Sequence, residues 1–304
     1  MSTAAGTLRA AVKLMRPQQW IKNLFVFAPL IFSRELFLVQ PDVLALRAFL
    51  AFCLTASAVY IVNDMVDLEA DRAHPRKRNR PLASGIISIP GALVLLGILT
   101  AADVLLIWGM TDQFILIVGT YFVMNLAYTF KLKEVFLLDV FIIAAGFMLR
   151  VLGGAYAISV QVSSWIILCT LFISLFLGFA KRRGEIAVLQ SAGAAPERKV
   201  LHHYRVDVID QIVTINAAGT VIAYALYTVA PRTVEIFGTD KLIYTTIFVM
   251  YGIFRYMHLM HTTESVENPS AVVTTDYPII VNVVFWITTC VLLIYFKGQI
   301  PFLH

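Results

Sequence analysis

The sequence predicts an all-α, polytopic membrane protein with nine transmembrane helices. Three observations predict it. Hydrophobic residues make up 59% of the 304 and charged residues only 14%, where soluble domains run at roughly 45–50% and about 25%. Mean hydropathy is +0.80. Apolar runs long enough to cross a bilayer recur along the chain, and lysine and arginine are spread unevenly over the connections between them. A disordered chain, a disulfide scaffold and almost any soluble enzyme are excluded. The cysteines, Cys53, Cys169 and Cys290, each lie in an apolar stretch with no CxxC pair, and are read as buried thiols.

A helix needs about 20 mainly apolar residues to cross the ~30 Å hydrocarbon core. Stretches of that kind lie at about 21–39, 43–64, 86–109, 113–130, 135–158, 162–180, 208–230, 240–260 and 278–297. The first follows Arg9, Lys13, Arg16 and Lys22, the second ends in an acidic run, and the fifth contains Asp139 and Arg150. The last includes WITTCVLLIYF, which is continuously apolar and lacks the alternation a membrane barrel would show. Lysine and arginine fix the orientation. The N-terminal segment and the even-numbered connections hold 17 of the 24, including Arg72, Arg76, Lys77, Arg78, Arg80 and Arg198. The opposite side holds Arg34, Arg232, Lys241 and Lys297. The N-terminus is therefore expected in the cytoplasm of a multi-pass plasma-membrane protein. Residues 1–304 read as a single integral membrane domain. Two cytoplasmic loops, 65–85 and 181–207, are long enough to form a polar site.

The strongest signal is YIVNDMVDLEADRAHPRKRNRPLASG, residues 60–85. On a helix, Asp64, Asp67 and Asp71 are spaced i, i+3, i+7, and Asn63, Asp67 and Asp71 are spaced i, i+4, i+8, so both sets share a face. Like charges at these spacings destabilise a helix and call for a cation. Hard oxygen ligands suit Mg²⁺, which commonly bridges carboxylates to substrate phosphates. His74, Arg76, Lys77, Arg78 and Arg80 follow directly. Acid for metal beside base for phosphate is the pattern a diphosphate site needs. The same cations also serve as topological signals.

NDMVDLEAD resembles the first aspartate-rich motif, NDxxDxxxD, of the UbiA-type superfamily of intramembrane prenyltransferases. RPLASG at 80–85 is similar to that family's RP-x-x-x-G, and YTFKLKEVFLLD at 128–139 to its segment with a tyrosine, a basic pair and an aspartate. The resemblance implies a helical bundle around a central cavity open to the cytoplasmic face, with Mg²⁺ holding a diphosphate at its mouth. The chain departs from the family after the sixth span. A second aspartate-rich motif belongs there, but the sequence reads LGFAKRRGEIAVL, with Lys181, Arg182 and Arg183 and a single acid, Glu185. Cations in place of carboxylates make an anion site. With RPQQWIKN at 16–23, this resembles the branch of the superfamily that transfers phosphoribosyl from phosphoribosyl pyrophosphate to a polyprenyl phosphate in making cell-wall arabinan.

What that resemblance implies is an Mg-dependent glycosyl (phosphoribosyl) transferase. Asp64, Asp67 and Asp71 would hold the metal against the diphosphate, and Asn63 would reach a ligand or sugar hydroxyl. Lys22, Lys77 and Arg80 would neutralise the leaving group. Lys181 and Arg182 would hold the 5-phosphate, with Glu185 orienting them or meeting a ribose hydroxyl. Tyr128 would stand at the cavity mouth, with Tyr121 and Asn125 on the same face of span four. Lys131 and Lys133 read equally as phosphate ligands or topological charges. Asp139 and Arg150 lie about 16 Å apart along span five and need separate partners. Asp207 and Asp210 either stand in for the missing acids or favour a helix N-terminus. His258, His261 and Glu264 form only an incomplete outline of a metal site.

A prenyltransferase acting on an aromatic or quinone precursor, and a non-enzymatic transporter or lipid carrier, are the alternative readings. The cations at 181–183 argue against the first, and the one-sided placement of charge argues against the second. No nucleic acid is expected as a partner. Small residues on several spans permit a homo-oligomer.

Overall fold

The computed structural model describes residues 2–75, 77–192, 199–262, 272 and 274–296. Arg76, Arg198, Glu264 and Lys297 lie outside them. Every regular element among the described residues is helical. The chain divides into two compact units. The first takes Met1–Leu30, Phe37–Lys133 and Leu149–Val160; the second takes Ile31–Leu36, Glu134–Met148 and Gln161–His304.

The first unit begins with α1 (Ser2–Met15), a 3-10 helix (Pro17–Phe27) and most of the short α2 (Ala28–Ile31). It continues with α3 (Val39–Val66), α4 (Leu68–Ala73), α5 (Ile89–Ile107), α6 (Asp112–Phe130) and the end of α7 (Leu138–Ala157). Alanines carry α3 into the middle of this unit. Ala45, Ala48, Ala51, Ala56 and Ala58 are all buried, and small side chains let membrane helices approach closely. Arg47, inside the α3 span, donates to the carbonyls of Leu106 (2.7 Å) and Trp108 (2.8 Å). It thereby satisfies groups that the end of α5 leaves without intrahelical partners.

Two glycines of α7 are needed for close approach. A Cβ on Gly153 would lie 2.5 Å from the Phe52 ring, and one on Gly154 would lie 2.0 Å from the Val26 carbonyl oxygen. Both glycines therefore serve close packing.

The second unit holds the start of α7, then α8 (Ser164–Ala192), α9 (Val206–Val229), α10 (Pro231–Phe237), α11 (Thr246–Thr262) and α12 (Tyr277–Tyr295). Its core gathers Val140, Phe176, Phe179, Ile209, Val213 and Tyr256, among others. Asp276 caps α12, accepting from the Ile279 amide (3.0 Å) and from Arg255 (2.9 Å). The Arg255 guanidinium beside it holds the Asp276 carboxyl below the ordinary carboxylate range. A depressed folded value means the pair stabilises above that range, about pH 4, and is lost as pH falls through the depressed value. Asp276→Asn keeps the cap but removes the charge. We expect its melting temperature in detergent to lie slightly below wild type at about pH 7, with the gap closing as the solution is acidified. A gap unchanged across that range would contradict the assignment.

Seven helices among the described residues are long and apolar enough to cross a membrane, so the protein is a multi-pass, all-helical membrane protein. The other two expected spans are built differently. The stretch 21–39 is a 3-10 helix followed by the four residues of α2 and turns, with Arg34 and Phe37 in left-handed conformation. Residues 240–260 begin as a 3-10 helix (Lys241–Thr245) before α11. The segment 181–207, expected as a loop, is helical as far as Ala192. α8, 29 residues in all, simply continues beyond its apolar part, and its length of about 43 Å exceeds the hydrocarbon core of ~30 Å.

Candidate active site

The acidic run lies where α3 ends. Asp67 interrupts the helix (φ −88°, ψ 7°), its amide still bonded to the Asn63 carbonyl at 2.9 Å, and α4 restarts one residue later. Asp64 and Asp71 are buried, at 2% and 4% exposure. Arg80 spans them, donating to Asp71 Oδ2 (2.6 Å) and Asp64 Oδ1 (3.1 Å). RPLASG folds as a compact turn that fixes this arginine. The Ser84 amide returns to the Arg80 carbonyl (2.9 Å), Leu82 is buried, and Gly85 takes a positive φ of 78°, which glycine adopts without strain.

Arg16 donates to the same Asp64 oxygen and lies over the Tyr60 ring, 4.9 Å from its centroid. Asp67 turns elsewhere, to Lys133 Nζ at 3.0 Å. The three carboxylates expected to act as one group are therefore divided two and one. Among the described residues, no three His, Cys, Asp or Glu side chains gather as a metal-ligand group. Asp64 and Asp71 still meet at one nitrogen of Arg80, whereas the Asp67 carboxylate is taken by Lys133. The donor chemistry still fits Mg²⁺, which is bound through one or two carboxylates plus substrate phosphates. Asp64 and Asp71 form such a pair.

The remaining sequence candidates of this unit differ in burial. Lys22 is half-buried in the 3-10 helix, and Asn63, Lys77 and Tyr128 are also half-buried. Lys131 is exposed, where it follows the last residue of α6. Tyr121 and Asn125 form a hydrogen-bonded face, the Asn125 amide donating to the Tyr121 carbonyl at 2.7 Å.

The second unit holds the cations at 181–183. Arg182 is 0% exposed and so is Asp139, which accepts from its Nε at 2.7 Å. Glu185 accepts from Arg182 Nη1 at 2.5 Å, and Tyr204 donates to the other Asp139 oxygen at 2.5 Å. Burial and the Asp139 carboxylate push the Tyr204 phenol up, so it remains a donor. Arg183 is engaged too, with Asp210 (2.5 Å), the Met260 carbonyl (2.8 Å) and His261 Nδ1 (2.7 Å). Lys181, 35% exposed, lies 3.6 Å from Glu185. The expectation that Arg182 holds a phosphate meets a guanidinium with no exposed surface, bound on both sides by carboxylates. His261 is a partner of an arginine, and Asp207 pairs with Arg205 at 2.8 Å.

The sequence profile of the UbiA prenyltransferase family matches residues 26–275. The chain belongs to that family. It is 38% identical over 220 residues to decaprenyl-phosphate phosphoribosyltransferase of Mycolicibacterium smegmatis, covering 71% of this chain and 69% of the relative. It is 34% identical over 227 residues to the enzyme of the same name from Mycobacterium tuberculosis H37Rv, covering 73% and 75%. In fold it is similar to a UbiA homolog from Archaeoglobus fulgidus bound to GPP and Mg²⁺, with a TM-score of 0.70 at 18% identity over 94% of this chain and 99% of that one. The family and the branch named by these relatives are the ones that NDMVDLEAD, RPLASG and RPQQWIKN pointed to.

Arg16 is the residue that sequence reasoning left out of the site. In the sequence it reads as a topological charge, although it opens the RPQQWIKN stretch that carries part of the resemblance. Lys133, which in the sequence reads equally as a phosphate ligand or a topological charge, lies beside the acids through its contact with Asp67.

Proposed function

We propose that this protein transfers the 5-phosphoribosyl group of phosphoribosyl pyrophosphate to a polyprenyl phosphate, decaprenyl phosphate in its relatives' name, and releases diphosphate. The observation that carries this reading is its 34–38% identity to decaprenyl-phosphate phosphoribosyltransferases. The mixed acidic and basic cluster of the first unit supports it.

The lipid phosphate, anionic at neutral pH, attacks the anomeric carbon. The new carbon–oxygen bond forms as the bond to the diphosphate oxygen breaks, inverting alpha to beta, and the bonding electrons leave on the diphosphate. No general base is required. Arg80, Lys22 and Lys77 stabilise the charge that develops on the leaving group, and stabilisation of this kind is commonly the largest catalytic contribution. Asp64 and Asp71 would hold Mg²⁺, which supplies charge neutralisation to the diphosphate. Asp67 keeps Lys133 beside the cluster. Asn63 and Tyr128 serve as polar contacts for the sugar, and Lys131 meets phosphate at the rim.

In the second unit, Lys181 rather than Arg182 is the phosphate ligand, and Glu185 orients it. Arg182 positions both. We read residues 1–304 as one integral membrane domain of the plasma membrane. It has nine crossings, a cytoplasmic N-terminus and a polar cavity opening to the cytoplasm beside the acidic cluster. Its product would feed the making of cell-wall arabinan.

The donor decides between this reading and prenyl transfer to an aromatic acceptor. Purified protein given both donors, phosphoribosyl pyrophosphate and geranyl diphosphate, together with a polyprenyl phosphate and an aromatic acceptor, should yield only a 5-phosphoribosyl phosphodiester of the lipid, identified by mass. A prenylated aromatic product would overturn the reading. Lys181→Gln should raise the KM for phosphoribosyl pyrophosphate about 10- to 100-fold, the equivalent of a lost charge-assisted hydrogen bond at roughly 1.5–3 kcal/mol, and leave the KM for lipid phosphate unchanged. An unchanged donor KM would remove Lys181 from the site.

A further inference from the structure

Arg150 has no place in the chemistry proposed above, yet it is a guanidinium inside a membrane-spanning helix and only 5% exposed. Charges at such depth are costly, and are kept where they act. Its Nε donates to Asn23 Oδ1 at 2.7 Å and its Nη2 donates to the Tyr121 hydroxyl at 2.7 Å. The guanidinium also lies over the Tyr121 ring, 4.7 Å from its centroid, a favourable cation–π placement. Asn23 is fully buried and donates in turn to Cys53 Sγ at 3.2 Å.

Asn23 belongs to the 3-10 helix Pro17–Phe27, the segment that carries Lys22 and follows directly on Arg16. A 3-10 helix of 11 residues is unusually long for this geometry, so other groups must hold its shape. Trp20 Nε1 donates to Ser57 Oγ at 3.1 Å, fixing the segment to α3. One turn of α7 beyond Arg150, Gly154 admits the Val26 carbonyl to a distance that no side chain could tolerate. Residues 150 and 154 of one helix face thus grip the segment at residues 23 and 26.

The geometry points to Arg150 as a positioning residue: through Asn23 it sets the register of the 17–27 segment, and so delivers Lys22 to the substrate diphosphate and Arg16 to Asp64. The kinetic consequence rests on the phosphoribosyl-transfer reading. The structural one does not.

Two measurements test it. Arg150→Met removes the charge and both hydrogen bonds while keeping a long, unbranched side chain in the buried site. In the full-length protein in detergent micelles, we expect hydrogen–deuterium exchange of the backbone amides at 17–27 to speed up at least about 10-fold. Exchange in α5 and α12 should be unchanged. The donor KM should rise about 10-fold while the lipid KM holds, and Arg150→Lys should recover part of the loss. In a double-mutant cycle, Arg150→Met and Lys22→Ala together should cost clearly less than the sum of the two single losses, what remains being the part that runs through Arg16. Unchanged exchange at 17–27 overturns the inference, and so do losses that simply add. If Arg150→Met does not fold, Asn23→Leu reads the same contact from the other side. If wild type transfers no phosphoribosyl group, the functional reading fails, and the exchange comparison still decides the role of Arg150.

Discussion

Asp64→Asn is expected to lower magnesium-dependent phosphoribosyl transfer by at least about 10²–10³-fold, the scale on which removal of a preorganised charge from a reacting centre is felt. The side chain is almost isosteric, so shape is kept. What changes is charge at the one carboxylate that meets both Arg16 and Arg80. Asparagine leaves two guanidiniums competing for Asp71, and takes away half of the carboxylate pair that would hold the metal. The loss should fall on kcat, and added Mg²⁺ should not restore it. Asp67→Asn gives an informative contrast. Its partner is Lys133 at 3.0 Å, so its loss should be smaller if Asp64 and Asp71 are the ligands. Equal losses at both positions would mean that the three acids draw together once substrate and metal are bound.

Arg182→Met is expected to be the most destabilising single change considered, by about 3–5 kcal/mol, because it strands a buried carboxylate. Asp139 would keep its hydrogen bond from Tyr204 but lose its cation. The double variant Asp139→Leu/Arg182→Met should recover most of the loss, since well-packed apolar replacements of a buried pair are often neutral. Thermal unfolding in detergent reads both. A single variant as stable as wild type would show that the pair contributes nothing, and would return Arg182 to the list of phosphate ligands. The two experiments separate the charge networks by consequence. The Asp64 network is expected to govern turnover, and the Asp139–Arg182 pair is expected to govern whether the second unit holds together.

Much of this was legible in the residues. The long apolar runs gave seven helices directly, since a continuous run of that length has few other solutions in a bilayer. The Asn63–Asp71 spacing and the adjacent Arg80 gave the acidic site and its basic partner. Other features were hidden for particular reasons. Hydropathy does not distinguish an α-helix from a 3-10 helix, so 21–39 read as an ordinary span. Helical spacing says which acids share a face but not which cation each meets, and Lys133, 66 residues from Asp67, takes that one. A cation in an amphiphilic stretch reads the same whether it faces solvent or a buried acid. Asp139 lies 43 residues before Arg182, too far for any local pattern to pair them. The same distance problem hid Arg16, which lies 48 residues from Asp64.

The central claim is tested most directly by incubating the purified protein with radiolabelled phosphoribosyl pyrophosphate, a polyprenyl phosphate and Mg²⁺, then measuring label in the organic phase, with Asp64→Asn run alongside. The account predicts lipid-borne label that needs magnesium and is nearly lost in the variant. No label from folded wild-type protein across a range of lipid lengths would contradict it.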